Sequence, residues 1–256
     1  MKSQLIRIQS GKNQLSASLF LPEKSNKKLV ILLPGYLDSK DYPHIKKLGE
    51  ALADHGDTAI SFNPTGTWDS EGDISEYSLP QYIADIDAVI QHMKTQGEFS
   101  KIFLAGHSFG AQIALIYPTL KNNITAVASI MPGRNIGITY PNETINRWKE
   151  QGYRMSRRDL PDKLKEYISY KVPYNFIAVR LGYDSLEYVK KLTIPVLYIA
   201  GEHDELHPVY DVRELYDATP EPKKLVVLEK EGHNYRKHDQ SINKVNSYIL
   251  DFFESL

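Results

Sequence analysis

The chain contains no cysteine. Disulfide bonds, thiolate metal sites and a cysteine nucleophile are therefore excluded on composition alone. The lack of disulfides fits the cytosol. An excess of one charge is missing too: 31 Lys and Arg stand against 32 Asp and Glu, a formal net charge of −1. Nucleic-acid binding usually shows as a strongly basic domain, so nucleic acid is not an expected partner. No apolar run approaches the ~18 residues that a membrane helix requires. Residues 1–20 alternate apolar and polar side chains and lack the continuous apolar centre of a signal peptide. A soluble, cytoplasmic protein is expected. There is no internal repeat and no low-complexity segment.

The 256 residues are 41% hydrophobic and 25% charged, which suits one large domain with a substantial core. Residues 5–9 and 15–20 read as two strands of a hairpin turning at Gly11-Lys12-Asn13. Residues 29–33 are wholly apolar, as expected of a strand covered on both faces. Residues 43–55 place Ile45, Leu48, Ala51 and Leu52 at helical spacing and stop at Gly56. Further strands are predicted at 58–62, 101–105, 124–131, 195–200 and 225–228. Further helices are predicted at 79–96, at 111–117 with an end at Pro118, at 209–218 and at 241–253. Strands alternating with helices predict an α/β fold, a mostly parallel eight-stranded sheet with right-handed crossovers and helices on both faces. The opening hairpin adds an antiparallel edge.

Residues 133–191 interrupt this alternation and are too long for a connection in a compact sheet. They hold seven of the seventeen tyrosines: Tyr140, Tyr153, Tyr167, Tyr170, Tyr174, Tyr183 and Tyr188. Arg154, Arg157 and Arg158 stand close together there. We read the stretch as an inserted cap, or lid, after the sixth strand, with 1–132 and 192–256 as the core. Ligands in such sheets bind outside the carboxyl ends of the strands, and an insertion leaving that edge lies near them. The plainer alternative is a surface excursion that only packs on the sheet.

The chemistry concentrates at Gly106-His107-Ser108-Phe109-Gly110, between the strand at 101–105 and the apolar helix that follows. Glycine–x–serine–x–glycine by itself arises by chance in roughly one chain in ten of this size, so the flanking elements carry the signal. On a strand-to-helix corner it is a nucleophile elbow. The turn is tight, and glycines at the flanking positions remove collisions with strand and helix. The serine hydroxyl then stands clear of the sheet. The positive end of the helix behind it favours a developing oxyanion.

A serine hydroxyl needs a base to take its proton and a carboxylate to hold that base. On such an elbow the chain order is nucleophile, acid, base. After the strand at 195–200 comes Gly201-Glu202-His203-Asp204-Glu205-Leu206-His207-Pro208, which offers Asp204 as the acid. Asp204 could instead cap the next helix, with Glu202 or Glu205 supplying the carboxylate. After the last strand comes Gly232-His233, which offers His233 as the base. Of the other histidines, His44, His55 and His92 fall in or at the ends of helices and are expected to be mostly solvated. His107 lies beside the nucleophile, His203 and His207 flank the acid, and His238 begins the last helix. Only His233 combines chain order with a strand end. The tetrahedral intermediate needs two donors. The backbone N–H of Phe109 is one candidate. The N–H of Tyr36 is the other, because Gly35 after the strand at 29–33 permits close approach; Pro34-Gly35 could also be a plain turn.

Leu32-Leu33-Pro34-Gly35-Tyr36, residues 63–72, the elbow, residues 201–208 and Gly232-His233 together make nearly the whole chain resemble an α/β-hydrolase. The resemblance is to the branch of cinnamoyl and feruloyl esterases, monoacylglycerol lipases and the serine aminopeptidase family. Two motifs depart from that branch. Asn63 and Thr65 stand where it carries charged residues, and Pro34-Gly35 stands where it has His-Gly. These changes touch the second oxyanion donor and substrate preference, not the triad. The resemblance implies a serine esterase that needs no metal or cofactor, acting through Ser108, His233 and Asp204. The tyrosine-rich cap favours a small to medium ester, with hydroxycinnamate esters preferred over triglycerides. The same triad could instead cleave amides, thioesters or carbon–carbon bonds, with the arginine cluster reading a substrate carboxylate or forming only a solvated basic patch. A non-catalytic binding protein of the same fold is the remote alternative. The sequence leaves the oligomeric state open, a homodimer included.

Overall fold

The computed structural model describes residues 1–256, the side chains of Ile136, Ile138 and Leu164 apart. Its strands are β1 (Lys2–Ser10), β2 (Asn13–Leu21), β3 (Lys28–Leu33), β4 (Thr58–Phe62), β5 (Lys101–His107), β6 (Ala126–Ile130), β7 (Tyr153–Leu160), β8 (Lys163–Pro173), β9 (Val196–Gly201) and β10 (Lys223–Leu228). Its α-helices are α1 (Pro43–Asp54), α2 (Leu79–Gln96), α3 (Phe109–Leu120), α4 (Ile136–Thr139), α5 (Asn142–Gln151), α6 (Asn175–Arg180), α7 (Ser185–Val189), α8 (Val209–Ala218) and α9 (Asp239–Glu254).

The apolar run in β3 explains the layering. Leu29, Ile31 and Leu33 join the core on one face of the sheet, and Val30 and Leu32 join the core on the other. All five are fully buried. A period of two with both faces covered leaves no position for a polar residue. The sheet has eight strands in the order β1-β2-β4-β3-β5-β6-β9-β10. β1 and β2 pair antiparallel, as do β2 and β4, and every pairing from β4 to β10 is parallel. α1 and α9 cover one face: Ile45, Leu48 and Leu52 pack with Ile242, Val245, Ile249 and Phe253. α2 and α3 cover the other, through residues such as Tyr82, Ile86, Ile113 and Ile116.

Three local expectations need correction. α3 runs through Pro118 to Leu120 instead of ending there. Proline's fixed φ suits a helix, and its missing N–H forfeits one bond in what is already the last turn. β6 spans Ala126–Ile130 and not 124–131; at its C-terminal end Met131 turns into the left-handed region at φ 50°. His44 is not solvated. It lies on the inward face of α1, one turn before Leu48, and is only 1% exposed.

Between β6 and β9 the chain forms α4, α5, the hairpin of β7 and β8, then α6 and α7. The hairpin is a separate two-stranded antiparallel sheet. Trp148, Tyr170, Val172, Phe176 and Ile177 from this stretch are buried in the same core cluster as the α2–α3 face. The arginines at 154, 157 and 158 do not act as one patch. Arg154 lies over the rings of Tyr140 and Trp148, Arg157 over Tyr167, and Arg158 over Tyr36.

Candidate active site

β5 ends at His107 and α3 begins at Phe109, so Ser108 alone makes the corner. Its φ of 55° and ψ of −115° lie where non-glycine residues are strained. Its N–H donates to the carbonyl of Ile130 at 2.9 Å and ties the corner to β6. A Cβ on Gly106 would fall 2.3 Å from the Gly110 carbonyl oxygen, and one on Gly110 2.1 Å from that of Leu33. The two flanking glycines are therefore required by close approach.

Asp204 follows β9 and His233 follows β10, and the parallel register brings both strand ends beside the elbow. His233 Nδ1 lies 2.8 Å from Asp204 Oδ2, and His233 Nε2 lies 3.0 Å from Ser108 Oγ. The partners settle the proton positions. A carboxylate can only accept, so Nδ1 carries the proton and donates to Asp204, and Nε2 accepts from the serine hydroxyl. The other oxygen of Asp204 accepts the N–H groups of Leu206 and His207, each at 2.9 Å. The helix-cap and histidine-holding readings of Asp204 thus describe two oxygens of one carboxylate. Burial would raise the Asp204 carboxyl, but His233 and the bond from the His207 amide together hold it below the usual range. Glu202 accepts the Lys230 N–H instead, and Glu205 is exposed.

The loop after β3 is locked by Tyr77 and Tyr82, which the sequence did not single out, and by Arg158, which it offered for a substrate carboxylate. The Tyr77 hydroxyl accepts from the Leu37 N–H at 3.2 Å, and the Tyr82 hydroxyl donates to the Pro34 carbonyl at 3.0 Å. Arg158 donates to the Tyr36 carbonyl through Nη2 at 2.6 Å and Nε at 3.0 Å. The Tyr36 and Phe109 N–H groups donate to no protein acceptor among the described residues. A Cβ on Gly35 would sit 3.3 Å from Ser108 Cβ, so this loop runs directly against the elbow. Burial pushes the Tyr36 hydroxyl up to about 12, and it shares a hydrogen bond of 3.0 Å with Ser156.

Behind the elbow lies a buried polar cluster. The His107 ring packs 4.9 Å from that of His233, and its Nε2 lies 3.2 Å from the His233 carbonyl. Asp38, His44 and His107 each place a potential ligand atom within 4.8 Å of the others, so these residues could hold a metal ion. Arg158 stands 3.5 Å from Asp38 and opposes a further cation there. Burial would raise the Asp38 carboxyl; His107 and Arg158 together keep it below the usual carboxylate range. Both ring nitrogens of His44 lack a partner, and burial holds it well below the usual histidine value. His207 packs edge-on against His233, and burial pushes it down to about 3. His203, by contrast, is exposed.

This cluster predicts acid lability. Burial holds His44, His107 and His207 below the ordinary histidine value of 6.5 in the folded chain. Above that pH both folded and unfolded chains hold them neutral. As pH falls through 6.5 the unfolded chain takes up protons that the folded chain refuses, so stability is lost. A histidine held neutral throughout that window costs about 1.4 kcal/mol of stability per pH unit. The urea midpoint should fall steeply between pH 6 and pH 5, well before carboxylates titrate. A midpoint unchanged down to pH 5 would show that these histidines are not held neutral.

The elbow, the His233 side chain, Tyr36, Tyr140, Arg180 and His207 line a cavity of ≈ 190 Å³. A family profile described as alpha/beta hydrolase fold matches residues 28–160, over half the chain, and the chain belongs to that family of hydrolases. A second profile, PhoPQ-activated pathogenicity-related protein, matches residues 159–255. The chain is 22% identical over 228 residues to the mitochondrial palmitoyl-protein thioesterase ABHD10 of Rattus norvegicus, covering 89% of this chain and 75% of that protein. It is 20% identical over 301 residues to proline iminopeptidase of Saccharolobus solfataricus, covering 97% and 94%. Est1E of Butyrivibrio proteoclasticus, solved with ferulic acid bound, superposes with a TM-score of 0.75 at 22% identity, covering 96% and 98%. That structural likeness is one of fold. Among the described residues, no helix is long and apolar enough to cross a membrane.

Proposed function

We propose that the chain is a serine esterase that cleaves small to medium carboxylic esters through an acyl-enzyme on Ser108. One observation carries this reading: a continuous hydrogen-bonded relay runs from Ser108 through His233 to Asp204 at 3.0 and 2.8 Å. Ser108 Oγ attacks the acyl carbon as its proton passes to His233 Nε2. Asp204 holds the imidazole and balances the imidazolium. The N–H groups of Phe109 and Tyr36 receive the oxyanion. The imidazolium returns its proton to the leaving oxygen, and the alcohol departs. Water then repeats the sequence, freeing the acid and restoring Ser108. Residues 133–191 act as a cap over this site, a role supported by Tyr140, Arg158 and Arg180 lining the cavity.

The substrate reading rests on size and lining. A cavity of ≈ 190 Å³ is below the about 300–1,000 Å³ of most ligand pockets, which disfavours a long acyl chain. The rings of Tyr36, Phe109 and Tyr140 suit an aromatic acyl group, and Est1E holds ferulic acid in the same fold. A thioester is the second reading, because the rat relative is a thioesterase. The lack of cysteine suits a reducing compartment, and the cytoplasm is the proposed location, with the mitochondrion of the rat relative as its rival in fractionation.

A fluorophosphonate should label the protein once, at Ser108. Matched ester, thioester and amide substrates with one acyl group should be cleaved fastest as the ester, with rates falling beyond short chains. Labelling at another serine would overturn the mechanism. Faster amide or long-chain turnover would overturn the substrate class.

A further inference from the structure

Three arginines line the cavity, and two of them have counter-charges. Arg158 faces Asp38 at 3.5 Å and holds the Tyr36 carbonyl. Arg236 grips both oxygens of Asp159, at 2.7 and 3.0 Å. Arg180, at the end of α6, has none. Among the described residues it makes no ion pair with a carboxylate, yet it is only 5% exposed.

Its surroundings are specific. The guanidinium lies 4.1 Å from the ring centre of Phe109, the residue directly after Ser108, and 5.3 Å from that of Phe176. Nη2 donates to the Gln112 side-chain carbonyl at 2.7 Å. Nε is sealed away without a partner. Among the described residues Nη1 has no acceptor, and it is not sealed from the cavity. Burial lowers the Arg180 value only to about 10, so the group stays charged at neutral pH. A buried cation without a counter-ion is costly, and proteins normally pair it. Here the aromatic faces and one amide oxygen fix its position but leave its charge unbalanced.

We propose that Arg180 is a receptor for a carboxylate on the substrate, so that the natural ester is a half-ester, with a free carboxylate at the far end of its acyl or alcohol part. The proposal rests on the esterase reading above and narrows it. Nη1 and the second proton of Nη2 form a free edge that suits the two oxygens of one carboxylate. One cation balances one such charge, whereas a phosphate dianion would remain half-neutralised. The bound carboxylate supplies the missing counter-ion beside the nucleophile, and the distance between guanidinium and Ser108 then sets the spacing between carboxylate and scissile bond. Of the arginines at 154, 157 and 158 that the sequence offered for this task, the first two are occupied by aromatic rings of the same segment and the third by Asp38 and the Tyr36 carbonyl.

The test compares ethyl hydrogen adipate with ethyl hexanoate by ethanol release, and the butanoyl ester of glycolate with that of glycolamide by butanoate release. In each pair the members differ by one negative charge. The wild-type protein should favour the charged member of at least one pair by ~10–100-fold in kcat/KM. Arg180→Gln should bring that ratio to one or below, and Arg180→Lys should restore part of it. The ratio is taken within one preparation, so a partly unfolded variant does not distort it. Ratios near one in the wild type, or a ratio unchanged by Arg180→Gln, would overturn the proposal and leave the esterase reading standing. Absence of both ester turnover and fluorophosphonate labelling would remove the esterase reading and this inference together.

Discussion

Ser108→Ala should lower kcat/KM for a good ester by at least 10⁴-fold, with the protein folded and its melting temperature within a few degrees. The relay explains the size of the effect. In the proposed mechanism the hydroxyl oxygen at the elbow forms the new bond, and its proton passes to His233 Nε2, 3.0 Å away. Alanine keeps the Cβ and the strained corner, so the fold is not asked to change. Groups that act as one unit lose activity together, so His233→Ala and the double variant should cost about as much as Ser108→Ala alone. Residual catalysis above water should persist, because the proposed oxyanion donors, the Tyr36 and Phe109 amides, are left in place. Single losses that multiplied in the double variant would mean that serine and histidine act separately. Undiminished turnover by Ser108→Ala would move the chemistry to another residue.

The parts of this arrangement legible in the sequence are those with local signatures. Five apolar residues in a row at 29–33 could only be a strand buried on both faces, and they are central in the sheet. Asp204 and His233 could be chosen because each lies within five residues of a strand end in the order nucleophile, acid, base, and strand ends of a parallel sheet meet at one edge. The fold places both within hydrogen-bond distance of the relay.

Residues whose environment depends on distant segments could not be read this way. His44 looks like a polar helix residue until its i, i+4 relation to Leu48 is weighed, which puts it on the buried face. Arg158 stands in a run of three arginines, and only the strand alternation of β7 and the approach of the β3 loop separate it from Arg157. Arg180 carries no local signal at all. Its partner Gln112 is 68 positions away, and its burial comes from aromatic rings on two different helices. Pro118 illustrates the converse. A strong local rule, that proline stops a helix, yields in the last turn, where proline forfeits only its own N–H bond.

Gly110→Ala should be the most damaging small substitution outside the relay. Its Cβ would lie 2.1 Å from the Leu33 carbonyl oxygen and 2.6 Å from that of Pro34. Both atoms are backbone at the end of β3, and β3 is clamped between β4 and β5. Neither side can yield by rotating a side chain. Overpacking of this kind costs about 1–3 kcal/mol or more, and in a chain of this size each kcal/mol lowers the melting temperature by roughly 2–4 °C. A fall of about 2–12 °C is expected. The damage should also reach catalysis. Relief of the clash pushes Pro34 and Gly35 away from the elbow, and the Tyr36 amide goes with them. Losing one oxyanion donor costs about 10²–10³-fold in kcat. The folded fraction of Gly110→Ala should therefore turn over at least about 10²-fold more slowly, while fluorophosphonate still reaches Ser108. Gly97→Ala is the control, because a Cβ there meets nothing within 4 Å. Wild-type melting and turnover in Gly110→Ala would mean that the β3 loop does not bear on the elbow, and the second oxyanion donor would have to be sought elsewhere.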